Sequence, residues 1–360
     1  MDTEGMPPGD GVVDDGAVED ARRAAGRFAV GVAAVRPFGG GHINETFLAG
    51  TANGDLVVQR LNLSVFPDPA AVTANIVAVH RHLAGACMPE PVPALDGGWL
   101  VRDGSGVWRA WRRVPGAAPA GLSTPSVARA AGRLLGEFHH RLADLDPAAL
   151  TETLPGFHDP GRRLAALRAA VAADPRGRAA GVAAEIARAE AGAPLVALAA
   201  DLAARVPRRV AHYDAKLDNI LFAGGTAVCL VDFDTVMPGA WFWDVGDLLR
   251  SAATTAAEDD PAPSRAVADP ALYRAVLDGY QEALTDWPTA GGPMADGPTP
   301  AEREAVGYAG ALVTYEQAVR FLTDWIEGDV YYRISRPEQN LDRARAQFRL
   351  LASMPLTRVG

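Results

Sequence analysis

With 360 residues, 49% of them hydrophobic and 22% charged, the chain can bury a sizeable core and divide into two lobes. A formal charge of −10 with no basic run excludes the electrostatic footprint of a nucleic-acid or anionic-membrane binder, so small molecules are the expected partners. Cys87 and Cys229 form no CxxC pair, and neither a signal-peptide pattern nor a bilayer-spanning apolar run is present, so a reduced, cytoplasmic protein is expected.

Residues 1–28 read as an acidic leader ending in a short helix at about 17–28. The amino lobe, 29–114, opens with three apolar, β-branched segments, 31–38, 45–50 and 55–61, joined by GGGHIN and TANG turns, an antiparallel start. A helical period spans 70–83, followed by strand-like pieces at 98–101 and 107–114. PGAAPAG (115–121) reads as a connector. From 122 to 360 a carboxyl lobe carries alanine- and leucine-rich amphipathic helices at roughly 123–142, 159–174, 181–205, 270–284 and 301–327, with proline-rich loops at 254–264 and 286–302. The fold class expected is α+β, a small antiparallel-β lobe beside a larger helical one.

A compact β-type island, RRVAHYDAKLDNILFAGGTAVCLVDFDTVMPG (208–239), interrupts the helices and holds Lys216, the one lysine of the sequence. Short apolar segments deliver Asp214, Asn219 and Asp232, a set of oxygen ligands that suits magnesium. Phosphoryl transfer calls for such parts: a carboxylate to orient the acceptor hydroxyl, an amide and a carboxylate on the metal, and a cation near the transferring oxygens. The spacing is H-x-D-x-K-x-x-N with a further aspartate 18 residues after the first. An ammonium is a compact charge on a flexible stem, unlike the broad guanidinium fork, which gives chemistry a reason to retain Lys216; chance survival on a loop is the alternative. The absence of any Gly-Lys dipeptide excludes a Walker A site.

The loop, the DFD element and the two-lobed layout resemble the aminoglycoside phosphotransferase and choline kinase superfamily, which has a protein-kinase-like fold. Within it, GGGHINETF (39–47), VVQRLN (57–62), PGFHD (155–159), DAKLDNILF (214–222), VDFDTVMPG (231–239), DVGDLLR (244–250), RFLTDWIEGDVYYR (320–333) and NLDRAR (340–345) resemble the N-acetylhexosamine 1-kinase branch, in order from about residue 30 to 350.

The resemblance implies ATP and Mg²⁺ as cofactors and transfer to the anomeric hydroxyl of an N-acetylhexosamine. Asp214 would orient and deprotonate that hydroxyl, Lys216 screen the γ-phosphate, and Asn219 and Asp232 hold magnesium. Asp234 would assist metal or sugar or serve as a structural acceptor, and Asp244 would brace the loop. In the amino lobe, Gly39, Gly40 and Gly41 would cradle phosphate. The superfamily's strand lysine is absent. Alternation puts Arg60 on the face of Val58, so Arg60 is the expected phosphate contact, with Asn75 where a glutamate is usual. Adenine would lie near Trp111 and Arg113; His42, Asn44, Arg320 and Tyr331 would meet the sugar. An aminoglycoside or amino-alcohol kinase, and a nucleotide-binding pseudokinase, are the alternatives.

Overall fold

A computed structural model of the protein describes residues 15–39, 43–285 and 297–355. Its amino-terminal part is an antiparallel sheet built from β1 (Ala34–Pro37), β2 (Glu45–Gly50), β3 (Leu56–Arg60), β4 (Pro91–Val92), β5 (Val101–Asp103) and β6 (Gly106–Arg112), in the order β1-β2-β3-β6-β4 with β5 also on β6. The two faces of the sheet carry different partners. Leu56 and Val58 of β3, with Phe47 and Trp108, pack beneath helix α1 (Asp15–Phe28), whose Ala21, Ala24, Ala25 and Phe28 complete that core. The helix that the sequence places at the end of a leader is thus part of the sheet's hydrophobic cover. On the opposite face Val57 and Trp111 join helix α2 (Pro69–Leu83) and the core of the helical part.

The helical part comprises α3 (Pro125–Arg141), α4 (Pro160–Ala173), α5 (Ala183–Ala191), α6 (Ala193–Arg205), α7 (Trp241–Ala252), α8 (Pro270–Thr285), α9 (Pro300–Glu327) and α10 (Gln339–Ser353). Aspartate or threonine followed by proline starts α2, α3, α4 and α9. Asp68, Thr124, Asp159 and Thr299 each accept a hydrogen bond from a first-turn backbone N–H, and the proline occupies the position that needs no donor. Each cap is worth about 1 kcal/mol. The period over 181–205 divides at Gly192, and Pro194 opens α6, because proline suits a first turn and breaks an interior one. Helices α3, α7 and α8 bury Leu135, Phe138, Leu248, Leu249 and Val276 together, at about 1.5–3 kcal/mol for each large side chain. No helix among the described residues is long and apolar enough to cross a membrane.

Between these helices lie β7 (Arg209–Ala211) paired with β10 (Met237–Gly239), and the hairpin β8 (Ile220–Ala223) with β9 (Thr226–Leu230). Ala117 of the connector bridges to Phe222 of β8. These short pairs fix the loops that carry the polar residues of the island.

Candidate active site

The loop after β7 is held from behind by a buried carboxylate. Asp244, at the start of α7, accepts the backbone N–H of His212 at 2.8 Å and of Tyr213 at 2.6 Å, and His139 Nε2 lies 2.9 Å away. Tyr280 Oη stands 2.9 Å from His139 Nδ1. This network assigns a neutral imidazole that donates through Nε2 to an ionised Asp244 and accepts at Nδ1. Burial drives the pKa of His139 down; at Asp244 the same burial is outweighed by His139, His212 and the backbone donors. Tyr213 adopts φ of +66°, a conformation that costs of order 1–3 kcal/mol for a non-glycine residue and is fixed here by Asp244. His212, also driven down by burial, ties the loop to Val231 through Nε2 at 3.1 Å.

The polar side chains of the loop converge. Lys216 Nζ lies 3.1 and 2.9 Å from the two oxygens of Asp214, and Asn219 Nδ2 donates to Asp214 Oδ2 and to its backbone carbonyl, each at 2.8 Å. Desolvation acts to raise the Asp214 carboxyl but Lys216, His212 and Asn219 hold it below the usual range. Desolvation would lower the Lys216 ammonium, and Asp214, Asp232 and Asp247 keep it raised. Asp232 adopts φ of +65°, and desolvation together with Asp234 and Asp214 pushes its carboxyl up. A carboxylate crowded by others of like charge is a donor that a divalent cation satisfies. Asn219 and Asp232 therefore fit magnesium. Among the described residues no three of His, Cys, Asp or Glu form a ready-made metal cage, as suits an ion that keeps waters and phosphate oxygens as its other ligands.

Asp234, two residues on, is buried and receives Asn44 Nδ2 at 2.5 Å, with Asn44 Oδ1 in turn accepting the backbone N–H of Asn62 at 3.0 Å. It also pairs with Arg109 of β6, a residue that pattern reasoning did not single out. Gln59 Oε1 receives Arg109 Nε at 3.0 Å, Arg109 Nη2 at 2.8 Å and Trp111 Nε1 at 2.9 Å.

Several expected residues lie elsewhere. Arg60 does share a face with Val58, but that face is the one covered by α1: Arg60 pairs with Glu45 and Asp20 and lies over the Trp108 ring, away from Asp214. The polar β3 side chain facing the helical part is Gln59, beside Val57. Asn75 pairs not with Arg60 but with the backbone of Thr151 and Val236, joining α2 to the helical part. Arg113 is bonded to Asp55 at 3.1 Å where β6 ends beside the start of β3, and Trp111 is buried. Gly39, two residues beyond β1, has a positive φ of +76°; Gly40, Gly41 and His42 lie outside the described residues.

On the opposite wall Arg320 of α9 lies 5.5 Å from the ring centre of Phe157, 5.5 Å from Tyr332 and 5.9 Å from the half-exposed Tyr331. Burial would lower its pKa, and Tyr332, Glu316, Tyr331 and Asp214 keep it raised.

A sequence profile described as the phosphotransferase enzyme family matches residues 34–291. The structure is similar to an aminoglycoside phosphotransferase from Alicyclobacillus acidocaldarius, with 18% identity over 98% of this chain and 96% of that one and a TM-score of 0.59. It is also similar to the amicoumacin kinase hAmiN in complex with AMP-PNP and Ca²⁺ (13%, 96% and 95%, 0.61) and to the choline kinase LicA from Streptococcus pneumoniae (13%, 94% and 100%, 0.57). At such identities these likenesses establish the protein-kinase-like fold. The profile covers more than half of the chain, and the chain belongs to the phosphotransferase enzyme family.

Proposed function

We propose that the protein is an ATP- and Mg²⁺-dependent kinase that phosphorylates the anomeric hydroxyl of an N-acetylhexosamine or closely related neutral sugar, releasing the sugar 1-phosphate and ADP. The observation that carries the choice of acceptor is the wall around Arg320, where a guanidinium stands among Phe157, Tyr331 and Tyr332. Three acidic residues nearby are already engaged. Glu316 meets His158 and Arg163; Asp324 accepts the backbone N–H groups of Val330, Tyr331 and Tyr332; Asp329 pairs with Arg178. A neutral polyol can accept hydrogen bonds from the guanidinium and lay a face on an aromatic ring. An amino-alcohol or aminoglycoside cation about 5 Å from that guanidinium would be repelled by about 3 kcal/mol at an effective dielectric near 20.

In this reading Asp214, ionised at neutral pH, receives the acceptor hydroxyl's hydrogen bond and takes its proton late in transfer. Asn219 holds Asp214 in orientation and, with Asp232, offers oxygens to magnesium. Magnesium, when bound, offsets charge on the phosphate oxygens. Lys216 sits beside Asp214 on a stem long enough to swing toward the transferring group. Asp234 and Asn44 form one hydrogen-bonded unit beside the loop.

Phosphorus NMR after incubation with ATP and separate panels of hexosamines, aminoglycosides and amino alcohols tests the proposal. A sugar 1-phosphate signal is expected from the first panel; phosphate transferred only to the other two would overturn it.

A further inference from the structure

We infer that the amino lobe meets the nucleotide phosphates with Arg109 of β6, positioned by Gln59 of β3, and that Asp234 is the partner the phosphates displace. Gln59 and Arg109 are directly opposed in the antiparallel β3–β6 ladder, so their side chains leave the same face of the sheet. That face looks onto the helical part, since Val57 and Trp111, which share it, pack into the main core. Arg60 could join it only by a register slip that would expose Leu56 and Val58.

Gln59 fixes the guanidinium. Its Oε1 takes the Nε and Nη2 donors, and its own Nε2 is anchored on Thr46 Oγ1 at 3.2 Å, which leaves Nη1 directed at Asp234. The contact with Asp234 is close but off the line of a hydrogen bond, and Arg109 Nη1 and Asp234 Oδ1 are both buried without a hydrogen-bond partner. The Arg109 side chain is only 4% exposed. Nη1 is thus ion-paired without a well-directed hydrogen bond, and a phosphate oxygen would take over that donor in the geometry that guanidinium favours. The charge also stands beside the metal-binding turn, because its partner Asp234 follows Asp232, the residue that fits magnesium, by two positions. Lys216, by contrast, is engaged on both oxygens of Asp214.

The inference rests on nucleotide use by this family member and not on the identity of the acceptor, so an NMR result that changes the acceptor leaves it standing. Calorimetric titration of adenosine, Mg-ADP and Mg-AMP-PNP into the unaltered protein, R109M, Q59L and the double variant R109M/D234N tests it. In the double variant both buried charges are gone, so folding does not depend on leaving Asp234 unpaired. Loss of a charge-assisted contact is expected to weaken Mg-ADP and Mg-AMP-PNP by at least about tenfold in both Arg109 variants. Q59L should lose less, in the same direction, and adenosine should bind all variants as it binds the parent. Parent-like Mg-ADP affinity in either folded Arg109 variant overturns the inference. So does an equal loss for adenosine, which would make Arg109 merely structural, or a parent that binds none of the three.

Discussion

Lys216 Nζ lies 2.9 Å from Asp214 Oδ2, so the one lysine of the sequence is the counter-ion of the carboxylate at the centre of the site. Side-chain exposure of 33% for Lys216 and 25% for Asp214 puts the pair at the cleft surface, not in the core. Solvent screening there limits its worth to stability. Its value lies in geometry: an ammonium on a flexible stem is held next to the carboxylate that we propose receives the acceptor proton.

Replacement of Asp214 by Asn should therefore act on the chemical step. Turnover is expected to vanish while Mg-nucleotide affinity stays within about tenfold, since an amide preserves the shape but cannot take the proton. ADP release measured beside calorimetric binding checks this, and parent-like turnover would remove Asp214 from its assigned role.

Lys216→Arg keeps the charge and changes its shape. The forked guanidinium is expected to remain on the Asp214 carboxylate bidentately, so kcat should fall further than the acceptor KM rises. Steady-state kinetics decide the point; an unchanged kcat would make the lysine a coincidence of composition.

Arg320→Met should show the opposite division. Removing a charged hydrogen-bond donor from the aromatic wall is expected to raise the acceptor KM by about tenfold or more while nucleotide binding is retained. If the acceptor KM is unaltered, the sugar does not bind on this wall.

How much of this site was readable from the chain depends on sequence distance. Asp214, Lys216 and Asn219 lie within one loop, so their spacing alone brings them together, and the caps at Asp68, Thr124, Asp159 and Thr299 are likewise local. The amino-lobe cation is a different case. Alternation correctly groups Arg60 with Val58, but which face of β3 looks onto the helical part is settled by α1, more than thirty positions earlier in the chain, covering the other one. Arg109 stands in the run RAWRR, where period-2 reading of the arginines cannot rank them; only the register opposite Gln59 and the approach of Asp234 distinguish it. The sequence period over 181–205 reads as one helix, and the structure divides it at Gly192-Ala193-Pro194, a breaker that the alanine-rich periodicity masks.

Acid should destabilise the fold earlier than carboxylate titration alone would. Burial holds the pKa of His139 and His212 below 6.5, so below that pH the unfolded chain binds protons the native state refuses. Stability is then complete above about pH 6.5 and declines as pH falls, by up to about 1.4 kcal/mol per pH unit for each histidine. The lowered Asp244 carboxyl adds a loss at still lower pH, as it is forced to protonate. Urea unfolding between pH 5 and 8 measures the slope. His139→Gln, which retains an N–H for Asp244, should reduce it by about one proton's worth; a flat profile from pH 5 to 7 would mean these imidazoles titrate normally.

Two glycine-to-alanine changes should have opposite signs, although both occur within helices. A Cβ on Gly132 of α3 would stand 2.1 Å from the backbone oxygen of Val276 in α8, and the reciprocal Cβ on Gly279 would stand 2.0 Å from that of Arg129. Backbone cannot yield as a side chain can, so G132A has to push α3 and α8 apart and open the core around Leu135 and Phe138. A cost of about 1–3 kcal/mol from overpacking exceeds the roughly 1 kcal/mol that alanine gains over glycine in helix propensity. Gly26 on the exposed side of α1 has no atom within 4 Å of its would-be Cβ, so G26A collects the propensity gain without the clash. Thermal unfolding of the two variants is expected to move Tm down for G132A and up for G26A. A G132A protein as stable as its parent would show that α3 and α8 do not cross at this separation, and with it the placement of His139 behind Asp244 would fail.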